Sequence, residues 1–348
     1  MENFDEYLRQ GEPNKAEKAK VWRTAIGLQQ VDGLKPSEYL IQTAKQNIEG
    51  DITIDDVKKR IDTYYQQLQI TIGTTKTDED RTEEADKVSA RIAEMLSEQT
   101  YTFSPAEYLS IHRRLFKGIY KFAGKIRDYN ITKREWVLNG ETVLYASADG
   151  LKATLEYDFE QERKFSYKGL SEQEIIEHIT YFISNLWQIH IFGEGNTRTT
   201  AIFLIKYLRK LGFKHINNDL FADHSWYFRN ALVRANYEDL SKGIYRTDKF
   251  LFRFFSNLLL NGNYSLKNRE MHILTETVND TVKSQIDTVN DTVFSLIKQD
   301  NKIKANKISE RLKVSLSTVR RKIKELKNSG KIERMGSDKS GYWRINES

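Results

Sequence analysis

Residues 190–200 read His190-Ile191-Phe192-Gly193-Glu194-Gly195-Asn196-Thr197-Arg198-Thr199-Thr200. This polar, glycine-punctuated stretch lies between two apolar helical patterns. Before it, Ile175, Ile176, Ile179, Phe182, Ile183, Leu186 and Trp187 recur at helical spacing. After it, Ile202, Phe203, Ile205, Leu208 and Leu211 do the same, and Gly212 supplies a stop. The chain therefore leaves one core helix and enters another through a short loop.

That arrangement suggests chemistry. Gly195 to Arg198 would form the first turn of the second helix, whose amides lack internal partners and can face an anion. Gly193 and Gly195 would let a phosphate approach the backbone. Arg198 adds a forked cation suited to phosphate oxygens. Glu194, an acid beside an anion site, makes sense with a divalent cation between them, and magnesium is the usual ion there. His190 supplies a base that titrates near neutrality.

The stretch resembles the Fic family motif, HxFx(D/E)GN(G/T/K)RxxR, with His190, Phe192, Glu194, Gly195, Asn196 and Arg198 all matching. The resemblance implies a mainly α fold with a helical core and a small β-hairpin flap. It implies transfer of AMP from ATP to a Tyr, Thr or Ser hydroxyl of a target protein. His190 would deprotonate that hydroxyl and Glu194 would hold magnesium. Asn196 and the helix amides, Thr197's among them, would hold the α-phosphate, and Arg198 would reach the β-phosphate. Two positions depart from the family. Ile191 stands where proline is frequent, and Ala201 replaces the second arginine. In the family that arginine contacts the γ-phosphate and pairs with an inhibitory glutamate, so neither the contact nor the usual pairing is expected here.

Composition sets the frame. The chain has 348 residues, enough for two or three domains. No apolar run is long enough to span a membrane, and Met1 to Glu6 lacks the pattern of a signal peptide. With no cysteine there is neither a disulfide nor a thiolate zinc site. Glu194 lies four positions after the loop histidine without a second histidine at ligand spacing, which argues against a zinc hydrolase. A cytoplasmic protein with no membrane contact is the expectation. Residues 298–348 hold 15 of the 55 lysines and arginines but 6 of the 49 acids. That segment carries +9 and the rest −3, so a nucleic-acid partner belongs to the tail.

Taken in order, residues 1–70 read as three helices. Ala19, Val21, Trp22, Ala25 and Ile26 mark the first, Ser37 caps the second, and Thr53 starts the third. The unit resembles the antitoxin-like module of some Fic proteins, whose motif (S/T)xxxE(G/N) lies over the nucleotide. Leu28 to Gly33 occupy the matching place, making Asp32 the candidate inhibitory acid. Glu49-Gly50 is a second candidate, with Lys45 at its Ser/Thr position.

Residues 71–80 are small and polar and read as a linker, followed by a Fic-like region over 81–262. Within it, helices are expected from Glu83 to Met95 and after Ser104-Pro105. Gly124 and Arg127 resemble a Fic-family step; Arg127 would equally serve as a structural ion-pair partner. Period-two patterning around Asn139-Gly140 predicts a hairpin. By resemblance it is the flap, with Thr142, Val143, Leu144 and Tyr145 as the edge that pairs with a target. Asn236 resembles a residue that touches adenosine; a helix C-cap is the plainer reading.

Residues 263–296 read as a helical connector. Thr-Val-Asn-Asp-Thr-Val recurs there at Thr277 and Thr288, which could serve a homodimer contact. Residues 297–348 resemble a winged helix-turn-helix, with Ser317, Thr318, Arg320, Arg321 and Lys324 facing DNA. Two other functions remain open: a DNA-binding regulator whose Fic fold senses nucleotide, and a Fic-type phosphotransferase or de-AMPylase. If the tail makes roughly four to six phosphate contacts, log K for duplex DNA should fall with log salt at a slope of about −4 to −5. A fluorescence-anisotropy titration across salt concentrations checks this, and a flat response contradicts it.

Overall fold

The computed structural model describes residues 4–72, 78–213, 216–274, 293–294, 296–298, 300–312, 319–320, 323–324, 326–327, 330–335 and 342–346. They fall into two compact units, Met1–Ile273 and Leu274–Ser348. The first is helical among its described residues: α1 (Asp5–Gln10), α2 (Pro13–Gly27), α3 (Glu38–Glu49), α4 (Ile54–Ile72), α5 (Asp78–Ser97), α6 (Pro105–Phe116), α7 (Leu151–Lys164), α8 (Glu172–Ile189), α9 (Asn196–Lys210), α10 (Asp219–Asp223), α11 (Ser225–Ala235) and α12 (Lys249–Leu260).

Local signals set these ends. Ser37 and Ser104 accept hydrogen bonds from Leu40 and Glu107 amides at the starts of α3 and α6. Ser171 and Glu174 close a capping box on α8. Of the stretch read as a linker, α4 runs through Ile72 and α5 begins at Asp78, and 73–77 lie outside the described residues.

One hydrophobic core runs through the unit, from Trp22, Ile61 and Ile92 through Leu115, Phe159 and Ile183 to Phe203, Phe228 and Phe254. The N-terminal helices share it: α2 packs on α5 and α10, and α4 packs on α5. A Cβ added to Gly27, the last residue of α2, would sit 2.3 Å from the Ala222 Cα, so only glycine allows that approach. Past Gly27 the chain tightens into a 3₁₀ turn, Leu28–Asp32, which left-handed Gly33 ends.

The expected β-hairpin takes another form. Asn139 and Gly140 do reverse the chain with positive φ, but residues 131–146 contain no strand. Trp136–Leu138 form a 3₁₀ turn, and the Thr142 hydroxyl, rather than a carbonyl, accepts the Lys133 amide, so a ladder cannot propagate. The period-two burial persists: Val143 and Tyr145 point into the core while Leu144 is 82% exposed.

In the second unit, α13 (Ala305–Leu312) precedes an antiparallel pair, β1 (Ile332–Met335) and β2 (Tyr342–Ile345), with Ile332 opposite Ile345. Val293, Ile297, Ile303, Ile308, Val319, Ile323, Leu326 and Ile332 form a separate core. Trp343 braces it by donating to the Ile303 carbonyl at 3.3 Å. Arg320 and Lys324 are exposed. Ser317, Thr318, Arg321 and the repeat begun at Thr277 lie outside the described residues.

His112, on α6, ties the first unit to its key loop. Its Nδ1 accepts the Gly124 amide at 2.8 Å, so its Nε2 carries the proton donated to the Glu194 carbonyl at 3.0 Å. Its ring stacks on Phe192 at 3.7 Å. Burial pushes its pKa down to about 4. Below pH 6.5 the unfolded chain therefore takes up a proton that the folded chain refuses. The stabilising contribution is complete above that pH and drains away as pH falls towards 4. Denaturant midpoints should drop between pH 7.5 and pH 5, and His112→Phe should flatten that dependence while lowering stability at pH 7.5. An unchanged slope in the variant would contradict this account.

Candidate active site

The loop between α8 and α9 is built by side chains that bind its backbone. His190 ends α8 in the left-handed conformation, φ 49°, with its amide bonded to the Trp187 carbonyl at 3.0 Å. The buried Arg127 guanidinium gathers the carbonyls of His190 (2.8 Å), Tyr129, Ala146 and Ile189. Its own amide donates to Ile191. Arg127 is thus structural, its guanidinium donating to four backbone carbonyls.

The Asn196 side chain closes the loop in both directions, accepting the Phe192 amide at 3.1 Å and donating to the Phe192 carbonyl at 2.8 Å. Gly195 has φ 77°, and a Cβ there would come within 2.4 Å of the Phe116 ring. Two independent constraints therefore demand glycine. No side chain caps α9. The first intrahelical hydrogen bond runs from the Thr199 amide to the Gly195 carbonyl, so the amides of Asn196, Thr197 and Arg198 have no intrahelical acceptor and could face an anion. The Thr197 hydroxyl accepts from the Trp187 indole at 3.0 Å, fixing that first turn.

His190 is buried between the rings of Tyr145 (4.2 Å) and Trp187 (5.1 Å). Its Nδ1 has no hydrogen-bond partner among the described residues. Burial, then the fields of Lys133 and Arg229, hold its pKa well below the ordinary histidine value. The imidazole is therefore neutral near pH 7 and able to accept a proton.

A cleft of about 540 Å³ opens beside this loop. The 3₁₀ turn at Asp32, α5 at Arg81 and Glu84, Tyr120, Lys133, Glu194 and α11 at Trp226 and Arg229 line it. Glu194 projects into it with its side chain half exposed and receives Lys133 Nζ at 2.8 Å. Arg229 pairs with the buried Glu135 at 2.8 Å.

Arg198 is 1% exposed; its terminal nitrogens are hydrogen-bonded, while its Nε pairs with Asp32 by charge without a formed hydrogen bond. Its Nε meets Asp32 at 2.8 Å, Nη1 meets Gln29 at 3.0 Å, and Nη2 meets Glu84 at 2.6 Å and Tyr120 at 3.3 Å. The guanidinium also lies over the Phe116 ring. Asp32, the acid at the candidate inhibitory position, thus pairs with Arg198, while apolar Ala201 offers it no partner.

Other candidates lie apart from the cleft lining. Asn236 is buried, and its amide donates to Ser184 and Leu232. The Leu144 carbonyl, on the flap, is taken by Gln188 at 3.0 Å. Sequence reasoning missed His112, Glu84 and Lys133. His112 alone carried a signal, because Tyr108, His112 and Leu115 share a helical face.

Residues 102–208 match the Fic/DOC family and residues 289–342 match an HTH domain. Protein adenylyltransferase VbhT of Bartonella schoenbuchensis is 28% identical over 128 residues, 37% of this chain and 24% of that protein. The chain thus spans about a quarter of that relative's length. Probable protein adenylyltransferase y4lH of Sinorhizobium fredii is 28% identical over 137 residues, 39% of this chain and 67% of that protein. Among solved structures, BepC of Bartonella tribocorum with bound AMPPNP is 20% identical at a TM-score of 0.42, covering 54% of this chain and 90% of that one. A Fic family protein from Desulfovibrio desulfuricans G20 is 14% identical at a TM-score of 0.43, covering 100% and 93%. No helix among the described residues is long and apolar enough to cross a membrane. The chain carries a Fic/DOC domain at residues 102–208 and a helix-turn-helix domain at residues 289–342.

Proposed function

We propose that this chain is a protein adenylyltransferase that moves AMP from ATP to a Tyr, Thr or Ser hydroxyl of a target protein, restrained by its own N-terminal helices. The observation that carries the reading is a buried, neutral imidazole one loop away from an uncapped helix start. The target hydroxyl attacks the α-phosphorus, its proton passes to His190, and the bond to pyrophosphate breaks. The amides of Asn196, Thr197 and Arg198 stabilise the charge on the α-phosphate. Asn196 serves through its amide and by holding the loop shut, since its side chain is committed to Phe192.

Glu194 would hold magnesium. It is a carboxylate in the cleft with no cluster of three metal-ligating side chains among the described residues, which suits an ion completed by phosphates and water. Magnesium bound there would neutralise phosphate charge.

Arg198 is the point of restraint. While Asp32 and Glu84 hold it, the guanidinium is not free for phosphate. The C-terminal unit binds DNA through the surface bearing the exposed Arg320 and Lys324. A second reading, a nucleotide-sensing DNA regulator, draws on the helix-turn-helix match and predicts DNA binding without any transfer.

Incubation of α-labelled ATP, magnesium and host lysate with the purified chain tests both transfer and restraint. His190→Ala should lower labelling by about 10²–10⁴. Asp32→Asn with Glu84→Gln should raise it roughly tenfold. Point substitutions are preferable to deleting residues 1–70, which would strip Trp22 and Leu28 from the shared core. Labelling by His190→Ala at the wild-type level would overturn the base assignment, and a gained phosphate instead of AMP would change the reaction. Because the His190 pKa is depressed, labelling should stay level from pH 8 down through 6.5 and decline only below it. A half-maximal point at or above pH 6.5 would contradict that ionisation state.

A further inference from the structure

We propose that Lys133 is the residue that takes the outermost phosphate of the nucleotide, an assignment that rests on the adenylyltransferase reading above. Position 201 supplies no cation, because Ala201 is an apolar residue of the core. Arg198 is buried and already paired with two carboxylates, Asp32 and Glu84, with Gln29 and Tyr120 also against its terminal nitrogens. The cleft lining offers three other cations: Arg81, Lys133 and Arg229.

Their present partners separate them. Arg229 neutralises Glu135, which is buried, so leaving it would strand a carboxylate away from water. Arg81 donates to the Asp32 carbonyl at 2.8 Å, which ties it to the 3₁₀ turn. Lys133 rests on Glu194, the half-exposed carboxylate best placed to receive a divalent cation. If Glu194 held a divalent cation, Lys133 would lose its counter-charge there and its ammonium would be free to seek another anion. Lysine has a long flexible stem and binds as a point charge, so it can swing to a new anion inside the same cleft. The phosphate farthest from the helix start is the anion that the α9 amides leave uncovered.

The test is calorimetric titration of magnesium–ATP and magnesium–ADP into the full chain bearing His190→Ala, with and without Lys133→Met. Lys133→Met should weaken ATP binding about tenfold, as expected for loss of one charge-assisted contact, and leave ADP binding within about twofold. Lys133→Arg should restore the preference for ATP. Equal weakening of ATP and ADP would overturn the assignment. So would tighter binding of both, the result expected if Lys133 merely blocks Glu194. If the parent binds ATP and the variant keeps the same ATP-to-ADP ratio, the lysine assignment alone fails. If the parent binds no ATP, the adenylyltransferase reading fails with it.

Discussion

A guanidinium almost sealed from water is the constraint around which the catalytic unit closes. Burial opposes the charge of Arg198, and the neighbouring Asp32, Tyr120 and Glu84 outweigh it, holding its pKa above the ordinary arginine value. These partners come from the turn after α2, from α5 and from the segment after α6. Arg198 belongs to the first turn of α9, so satisfying one cation fixes the N-terminal helices against the loop bearing His190. Removing a single partner from such a cluster is costly, because the charge left behind stays buried. The same contacts that complete the fold are the ones that, on the proposed function, would have to yield before this arginine could meet a phosphate.

The loop itself depends on two anchors of different chemistry. Arg127 is charged and holds four carbonyls around His190. His112 is neutral and uses its two nitrogens in opposite senses, one accepting and one donating. Together with the Asn196 staple they place the imidazole and the helix start before any ligand arrives, the preorganisation that electrostatic catalysis requires.

Much of this was legible in the sequence where the signal is local. Apolar periodicity located α8 and α9, and Ser37 and Ser104 marked helix starts that the structure keeps. The glycines of the motif announced a loop with close backbone approach. What escaped was long-range pairing. Glu84 is one glutamate among several on α5, and nothing in its neighbours says that it reaches Arg198, 114 positions away. Lys133 looks like any surface lysine until the fold sets it against Glu194, its segment tied to the motif loop through Arg127. The flap misled in a different way. Alternating burial at Val143 and Tyr145 is real, yet side-chain hydrogen bonds and a 3₁₀ turn replace the ladder, and periodicity cannot distinguish the two.

Gly27 carries a kinetic consequence. Its backbone lies so close to Ala222 that a Cβ there would collide with it, so α2 and α10 meet backbone to backbone. On the restraint proposed above, release of Arg198 would then be a matter of rotamer changes at Asp32 and Glu84, with the helices left in place. Side chains near a cleft rearrange in nanoseconds to microseconds, whereas moving whole helices takes microseconds to milliseconds. A switch built this way would answer a nucleotide on the timescale of binding, without a rearrangement of the helical scaffold.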